Sequence, residues 1–354
     1  MSEEAARRQA RWKKILTFAA LAALAILIYS VRKDIGSVID NLGKVNAWVL
    51  LLILPLEFLN YDAYARFYKS IFKTLGDKVD YWPMFKLTLE LNFVNHILPS
   101  GGISGISYFT VRMKSEGVSG TRATLSQVLK LFLLYLSFQP ILVLGVFLLA
   151  ARGHVNDLVI LVAGSLITLM VVGTFIGLYI VESRQRINSS LTIITQWVNW
   201  LIHLVRRKHP ETINIQNAQR TFLELHDNYM IIKEKWRQLK RPFIYMTVAN
   251  LTEVAAIYVV YMAFGEFVNV GAVILAYAIA NFAGLISILP AGIGIYESLM
   301  TAVLAVTGIP ARVSLPVTIM YRVINMFIQL VPGYYFYERA IRGGLVGNNK
   351  KTSQ

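Results

Sequence analysis

Leu98-Pro99-Ser100-Gly101-Gly102-Ile103-Ser104-Gly105 and Leu289-Pro290-Ala291-Gly292-Ile293-Gly294-Ile295-Tyr296 are two versions of one device, each set inside strongly apolar sequence. A proline followed by clustered glycines cannot continue a helix. At membrane depth, non-helical backbone is tolerated only where protein buries it or where it lines a polar cavity. Matching breaks in the two halves of a chain therefore point to a transport site at a repeat interface. On that reading Pro99, Gly101, Gly102, Gly105, Pro290, Gly292 and Gly294 border a substrate path. Half-helix N-termini there would present backbone N–H groups to a phosphate, and glycine would allow close approach. The competing reading is that the glycines only let helices pack closely, as expected for Gly173 and Gly177 in a GxxxG arrangement.

The rest of the composition agrees with a membrane setting. The 354 residues are 56% hydrophobic, and the mean hydropathy is +0.53. Apolar runs at 15–31, 46–66, 124–150, 156–181, 243–264 and 313–337 are long enough to cross a bilayer, which makes this an all-α polytopic membrane protein. The run Ile15 to Val31 follows Arg7, Arg8, Arg11, Lys13 and Lys14, so it has the flanks of a signal peptide; because further spans follow, it reads as a retained first helix. The absence of cysteine excludes disulfides and thiolate metal sites. No His/Glu spacing suggests zinc, and no phosphate-cradling loop suggests a nucleotide, so no cofactor or metal is implied. The net charge of +15 sits at the ends of the apolar spans. That placement argues against nucleic acid and for topology signals that meet anionic inner-leaflet headgroups.

Lys and Arg gather before residue 15, at 66–86, at 184–241 and after 338, which places both termini in the cytoplasm of a cell (cytoplasmic) membrane. Under that assignment the first broken segment, 83–112, enters and leaves from the cytoplasmic side. The second, 269–308, enters and leaves from the outside. Each half then reads helix, helix, broken hairpin, helix, in opposite orientations, which is an inverted-topology repeat with two re-entrant hairpins. The competing layout makes one or both hairpins full spans, since 269–288 is about 20 residues. The expected organisation is a first membrane repeat at 1–150, the first helix of the second repeat at 151–181, and a basic cytosolic helical insertion at 182–241. The second repeat resumes at 242–340, and a disordered tail follows at 341–354. The insertion has 11 Lys/Arg against five Asp/Glu. Its stripes, Ile187 to Val205 and Ile215 to Leu239, fit a hairpin packed on itself or on the inner leaflet, or a coil that makes a homo-oligomer.

Ionisable residues inside spans are a second line of evidence, because each costs a few kcal/mol unless it pairs or meets water. The candidates are Glu57, Glu90, Lys130, Glu253, Glu297 and Arg322. Arg322, Asn325 and Gln329 share one helical face, which should look into the bundle. Glu297, just after the second break, is the natural counter-charge for Arg322, or for a cationic headgroup when Arg322 holds a phosphate; a purely structural ion pair is the alternative. Glu57 with Asn60, Tyr61 and Tyr64, and Asn250 with Glu253, form further polar faces, although the tyrosines also suit an interfacial belt. A carboxylate such as Glu253 or Glu297 could carry a proton.

Around the breaks the sequence resembles a known family. The first signature runs Asn92-Phe93-Val94-Asn95-His96-Ile97-Leu98-Pro99-Ser100-Gly101-Gly102, followed by Gly117-Val118-Ser119; the second runs Leu289 to Glu297, followed by Gly308-Ile309-Pro310 and Tyr321-Arg322. Together they resemble the lysylphosphatidylglycerol synthase transmembrane family over most of residues 15–340. The resemblance implies a flippase for a phospholipid headgroup, in particular an aminoacylated phosphatidylglycerol. The family's bifunctional members carry an aminoacyl-transferase domain after the membrane part, which has no counterpart in this sequence. Lipid translocation without enzymatic activity is therefore the expectation. A transporter of a small soluble solute and a non-transporting scaffold are the alternatives. Gly102-Ile103-Ser104-Gly105 also matches the GxSG motif of intramembrane proteases, but His96 is the one histidine at depth that could serve as its base.

Overall fold

The computed structural model describes residue 29 and residues 32–43, 45–97, 103–151, 157–183, 185–186, 189, 226–286 and 294–343. All regular structure among the described residues is helical. The order is α1 (Arg32–Leu42), α2 (Ala47–Leu50), α3 (Ile53–Leu75), α4 (Tyr81–Ile97), α5 (Ile103–Ser115), α6 (Gly120–Ala151) and α7 (Asp157–Val181). After a 3-10 turn at Trp236–Leu239 come α8 (Lys240–Ala263), α9 (Val270–Ile286), α10 (Ile295–Val306) and α11 (Ala311–Arg342). Pro55, Pro83 and Pro242 are each the third residue of their helix, where the first-turn N–H has no intrahelical acceptor to lose.

Among the described residues, five segments are long and apolar enough to cross a membrane: Ala47–Leu75, Gly120–Ala151, Val159–Ile180, Trp236–Ala263 and Ala311–Arg342. The protein is an integral membrane protein. These segments match five of the six spans expected from sequence; the sixth, 15–31, lies outside the described residues except for residue 29. The span expected at 46–66 runs on to Leu75, because Phe67, Tyr68, Ile71 and Phe72 are buried against other helices, so protein packing extends the helix past the lipid-facing run. The broken segments contain shorter helices, of 17 and 13 residues for α4 and α5 and of 17 and 12 for α9 and α10. In their described parts α4 and α9 reach only the lower end of the range for a span, about 17 residues, and α5 and α10 are shorter. The breaks themselves, with Pro99, Gly101, Gly102, Pro290 and Gly292, lie outside the described residues, as do most of the insertion and the tail after Gly343.

The helices pack crosswise between the two halves. α3 lies along α8; α4 packs on α11 and α9 on α6; α4 pairs with α5 and α9 with α10; and α5 leads onto α6 as α10 does onto α11. Two of these crossings are very close. A Cβ on Gly271 of α9 would strike the Gly145 carbonyl of α6, and one on Gly333 of α11 would lie 2.7 Å from the Leu89 carbonyl of α4. By contrast, a Cβ at Gly173 or Gly177 would meet nothing within 4 Å. The close packing expected there is not made within the described chain, because α7 packs chiefly on α6 and exposes Leu169, Val172, Phe175 and Ile176.

The interior divides into separate apolar clusters. The largest gathers Ile53, Phe138, Leu142, Val254, Ile257 and Tyr261, with much of α9, α10 and the first part of α11. A second holds Phe67, Phe72, Met84, Phe109, Leu129 and Met246. A third, smaller one joins α4 to α11 through Phe93, Ile97 and Met326. Ile232, from the end of the insertion, is buried in the second cluster, whereas Trp236 on the same expected stripe is 60% exposed. Along α3, α6 and α8 the side chains pass from one cluster to another midway, and polar residues occupy the seam.

Candidate functional site

At that seam lies a cavity of about 390 Å³. Its lining combines apolar and polar groups, with Tyr135 the polar member from α6. Leu131, Leu134 and Phe138 of α6 face it together with Leu166 and Met170 of α7. The same space is lined by Asn60 of α3, Asn92, Asn95 and His96 of α4, and Asn250 and Glu253 of α8. From α11 come Tyr321, Arg322, Asn325 and Gln329, and α9 and α10 contribute Tyr277, Asn281 and Tyr296. Both interrupted segments therefore reach the same space, one through α4 and the other through α9 and α10.

A directed chain of hydrogen bonds within the polar lining ties three helices together. Gln329 Nε2 donates to Asn325 Oδ1. Asn325 Nδ2 donates to the Tyr321 hydroxyl at 2.9 Å, which donates to Glu253 Oε2 at 2.5 Å. From the other side Asn60 Nδ2 reaches Thr252 Oγ1 at 2.9 Å and Glu253 Oε1 at 3.4 Å. Glu253 is thus held by α3 and α11 at once. Asn250 donates to the Leu134 carbonyl at 2.9 Å and to Ser137 Oγ at 3.0 Å, fixing α8 against α6. Low polarity around these groups strengthens each bond and raises the cost of losing one.

The α10 start organises the remaining charge. Gly294 sits at φ +85°, a left-handed conformation that glycine adopts without strain. Its N–H donates to Glu297 Oε2 at 2.7 Å, closing a cap on α10. The other Glu297 oxygen accepts from Arg322 Nη1. The Arg322 guanidinium also lies 4.8 Å from the centre of the Tyr296 ring. One hydrogen bond, to a carboxylate that the Gly294 N–H fixes, and a ring face therefore hold this arginine at the cavity.

The other residues singled out in the sequence are placed as follows. Gly105 is buried, and its Cα lies so close to the Asn95 carboxamide that a Cβ would overlap it. Glu57 is 2% exposed, one turn before Asn60, with its Oε2 unpartnered among the described residues; it is not part of the wall. Lys130 is adjacent to Leu131 but is not a wall residue either, and no hydrogen bond or ion pair joins it to a described residue. Glu90 is buried within the first hairpin, accepting from Tyr108 at 2.8 Å and lying 3.5 Å from Arg112. His96 Nδ1 donates to the Asn92 carbonyl at 2.8 Å. Asn281, Tyr277 and Tyr296 are wall residues that residue-type patterns missed. One signal could have found the first of them: Asn92 and Asn281 are each the twelfth residue of a 17-residue hairpin arm.

Comparison with known proteins agrees with this architecture. The sequence matches the family model described as the lysylphosphatidylglycerol synthase TM region over residues 15–333. The chain belongs to that family. It is similar to a UPF0104 membrane protein of Methanocaldococcus jannaschii, with 22% identity over 90% of this chain and 92% of that protein. A UPF0104 membrane protein of Methanothermobacter thermautotrophicus is 21% identical over 89% of this chain and 91% of its own length. A match to a UPF0104 membrane protein of the same organism reaches 32% identity but covers only 27% of this chain.

Proposed function

We propose that this protein moves the phosphate headgroup of a membrane lipid between leaflets, with Arg322 as the phosphate contact. The mixed apolar and polar lining of the cavity carries this reading. A charged headgroup cannot cross hydrocarbon unaided, so it needs a polar track beside an apolar one that keeps the acyl chains in lipid. The wall from α3, α4, α8 and α11 is the polar track, and α6 with α7 is the apolar one. α7 packs chiefly on α6 and exposes its other faces, which suits a lateral opening for acyl chains. A soluble solute would have no use for that apolar side. Family membership supports the same activity.

An inverted repeat with re-entrant hairpins underlies the mechanism. Its support is a recurrence of landmarks: Gly76, Pro99, Gly117 and Pro140 return as Gly265, Pro290, Gly308 and Pro332 at a nearly constant separation of about 190 residues. Gly76, Gly117, Gly265 and Gly308 share positive φ, and the α4–α11 and α9–α6 crossings exchange under the same correspondence. Lys130 and Arg322 then occupy equivalent places, ten residues before Pro140 and Pro332 respectively. Repeats of opposite orientation would let the cavity open to either side in turn, with Lys130 near the alternative route. Glu57 and Glu253 belong to the same path.

The test is headgroup translocation in proteoliposomes with labelled phospholipid, comparing wild type, Arg322→Ala and protein-free vesicles. Wild type should exceed protein-free vesicles, and Arg322→Ala should slow movement by about tenfold or more, the loss expected for a charge-assisted phosphate contact. Equal rates in all three would refute the reading.

A further inference from the structure

We propose that the headgroup taken by this cavity is a phosphodiester with a neutral, hydroxyl-rich substituent, such as glycerol, inositol or a sugar, and not a cationic aminoacyl ester. This inference rests on the translocation reading and concerns the chemistry of the same cavity.

The fold has already committed several of the wall groups. Glu253 is the one carboxylate of the described wall, and it already accepts from Tyr321 and Asn60. Glu297 is engaged by Arg322 and by the Gly294 N–H. A lysyl ester would bring two ammonium groups, which need carboxylates to replace their lost hydration. The wall offers one, already bonded, beside the Arg322 cation; the Glu57 carboxylate lies behind it, outside the wall.

The groups left facing the space are of another kind. Asn95 and Asn281 are exposed to it and Asn92 is half-buried, in contrast to Asn60, Asn250 and Asn325, which are buried in helix-to-helix hydrogen bonds. A carboxamide donates and accepts at once, as does each hydroxyl of a polyol, so the two match without any net charge. The rings of Tyr64, Tyr277 and Tyr296 line the same cavity and can cover the C–H faces of a sugar or glycerol. Arg322, which gives one of its five N–H donors to Glu297, is the phosphate partner of the proposed function. The hairpin arms add a geometric match. Asn92 and Asn281 occupy the same position on arms that approach from different halves, so a headgroup between them meets an amide on either side.

The experiment uses the full chain in proteoliposomes with labelled phosphatidylinositol, phosphatidylglycerol and lysyl-phosphatidylglycerol, and with soluble inositol phosphate as a separate flux probe. Phosphatidylinositol and phosphatidylglycerol should move faster than the lysyl ester by at least about tenfold, because a site built of hydrogen-bonding groups discriminates strongly. Asn95→Leu with Asn281→Leu should erase that preference; both positions are exposed, and an unchanged melting temperature would confirm folding. A lysyl ester that moves as fast as the others would overturn the headgroup class while translocation itself stood. Entry of inositol phosphate without lipid movement would keep the polyol phosphate chemistry and overturn the lipid reading. Movement of none of the four would overturn both.

Discussion

Single side chains set the geometry of the polar wall, and two substitutions test this directly. Gly105 lies under the Asn95 carboxamide with no room for a methyl group. Gly105→Ala should therefore displace Asn95 and slow transport by about tenfold, although alanine is the better helix former by about 1 kcal/mol. In an Asn95→Ala background the same change should be neutral or slightly stabilising, and a double-mutant cycle in the transport assay reads the difference. Glu253 makes the opposite prediction, for stability. Glu253→Leu strips the Tyr321 hydroxyl and the Asn60 amide of a common acceptor, at a cost of about 2 kcal/mol. Glu253→Gln keeps an acceptor oxygen and should lose less, as thermal unfolding in detergent would show. Some of this wall was legible in the sequence. The face formed by Arg322, Asn325 and Gln329 follows from helical spacing, and Glu297 was the nearest counter-charge to expect for Arg322. Asn95, Asn281, Tyr277 and Tyr296 were not legible as a group, since no spacing within one helix relates residues that meet only when four helices converge.

At the scale of elements, the contrast between α7 and the other walls is the informative feature. Gln139 of α6 donates to Thr174 of α7 at 3.4 Å, a polar link between the helices that form the apolar side. The chain has no cysteine, so Gln139→Cys with Thr174→Cys would give one defined crosslink. Oxidation should reduce lipid movement at least about fivefold if α7 must part from α6, and reduction should restore it. Each single cysteine should be indifferent to oxidant. Helix existence was the most legible property of this fold, because long apolar runs in a membrane have few alternatives to helix. Helix ends were less so. α3 extends nine residues past the run that announced it, carried by aromatic residues that face protein, a fact that composition cannot distinguish from facing lipid. Gly173 and Gly177 teach the same lesson: small residues four apart permit a close crossing, but only a partner makes one.

For the whole molecule, the proposed inverted repeat predicts sidedness. Ser119, after the first hairpin, and Pro310, after the second, are exposed and occupy corresponding places. Ser119→Cys should react with a membrane-impermeant maleimide only from the cytoplasmic side, and Pro310→Cys only from the other; labelling of both from one side would refute the arrangement. The proposal of opposed hairpins rests on the two proline and glycine breaks, whereas the crossed packing of α4 on α11 and α9 on α6 had no one-dimensional signature, because it joins residues more than a hundred positions apart.

The Arg322–Glu297 pair is electrically neutral as a unit, and the amides of Asn92, Asn95 and Asn281 have no charge to contribute. An anionic phosphodiester passing this wall would therefore take its own charge through the membrane field, with no side chain moving to cancel it. One elementary charge crossing 100 mV is worth about 2.3 kcal/mol. That corresponds to roughly a fiftyfold difference in equilibrium population between leaflets. A negative cell interior would then act as the pump, accumulating the lipid in the outer leaflet without a chemical fuel, and collapsing the voltage would let the two leaflets even out.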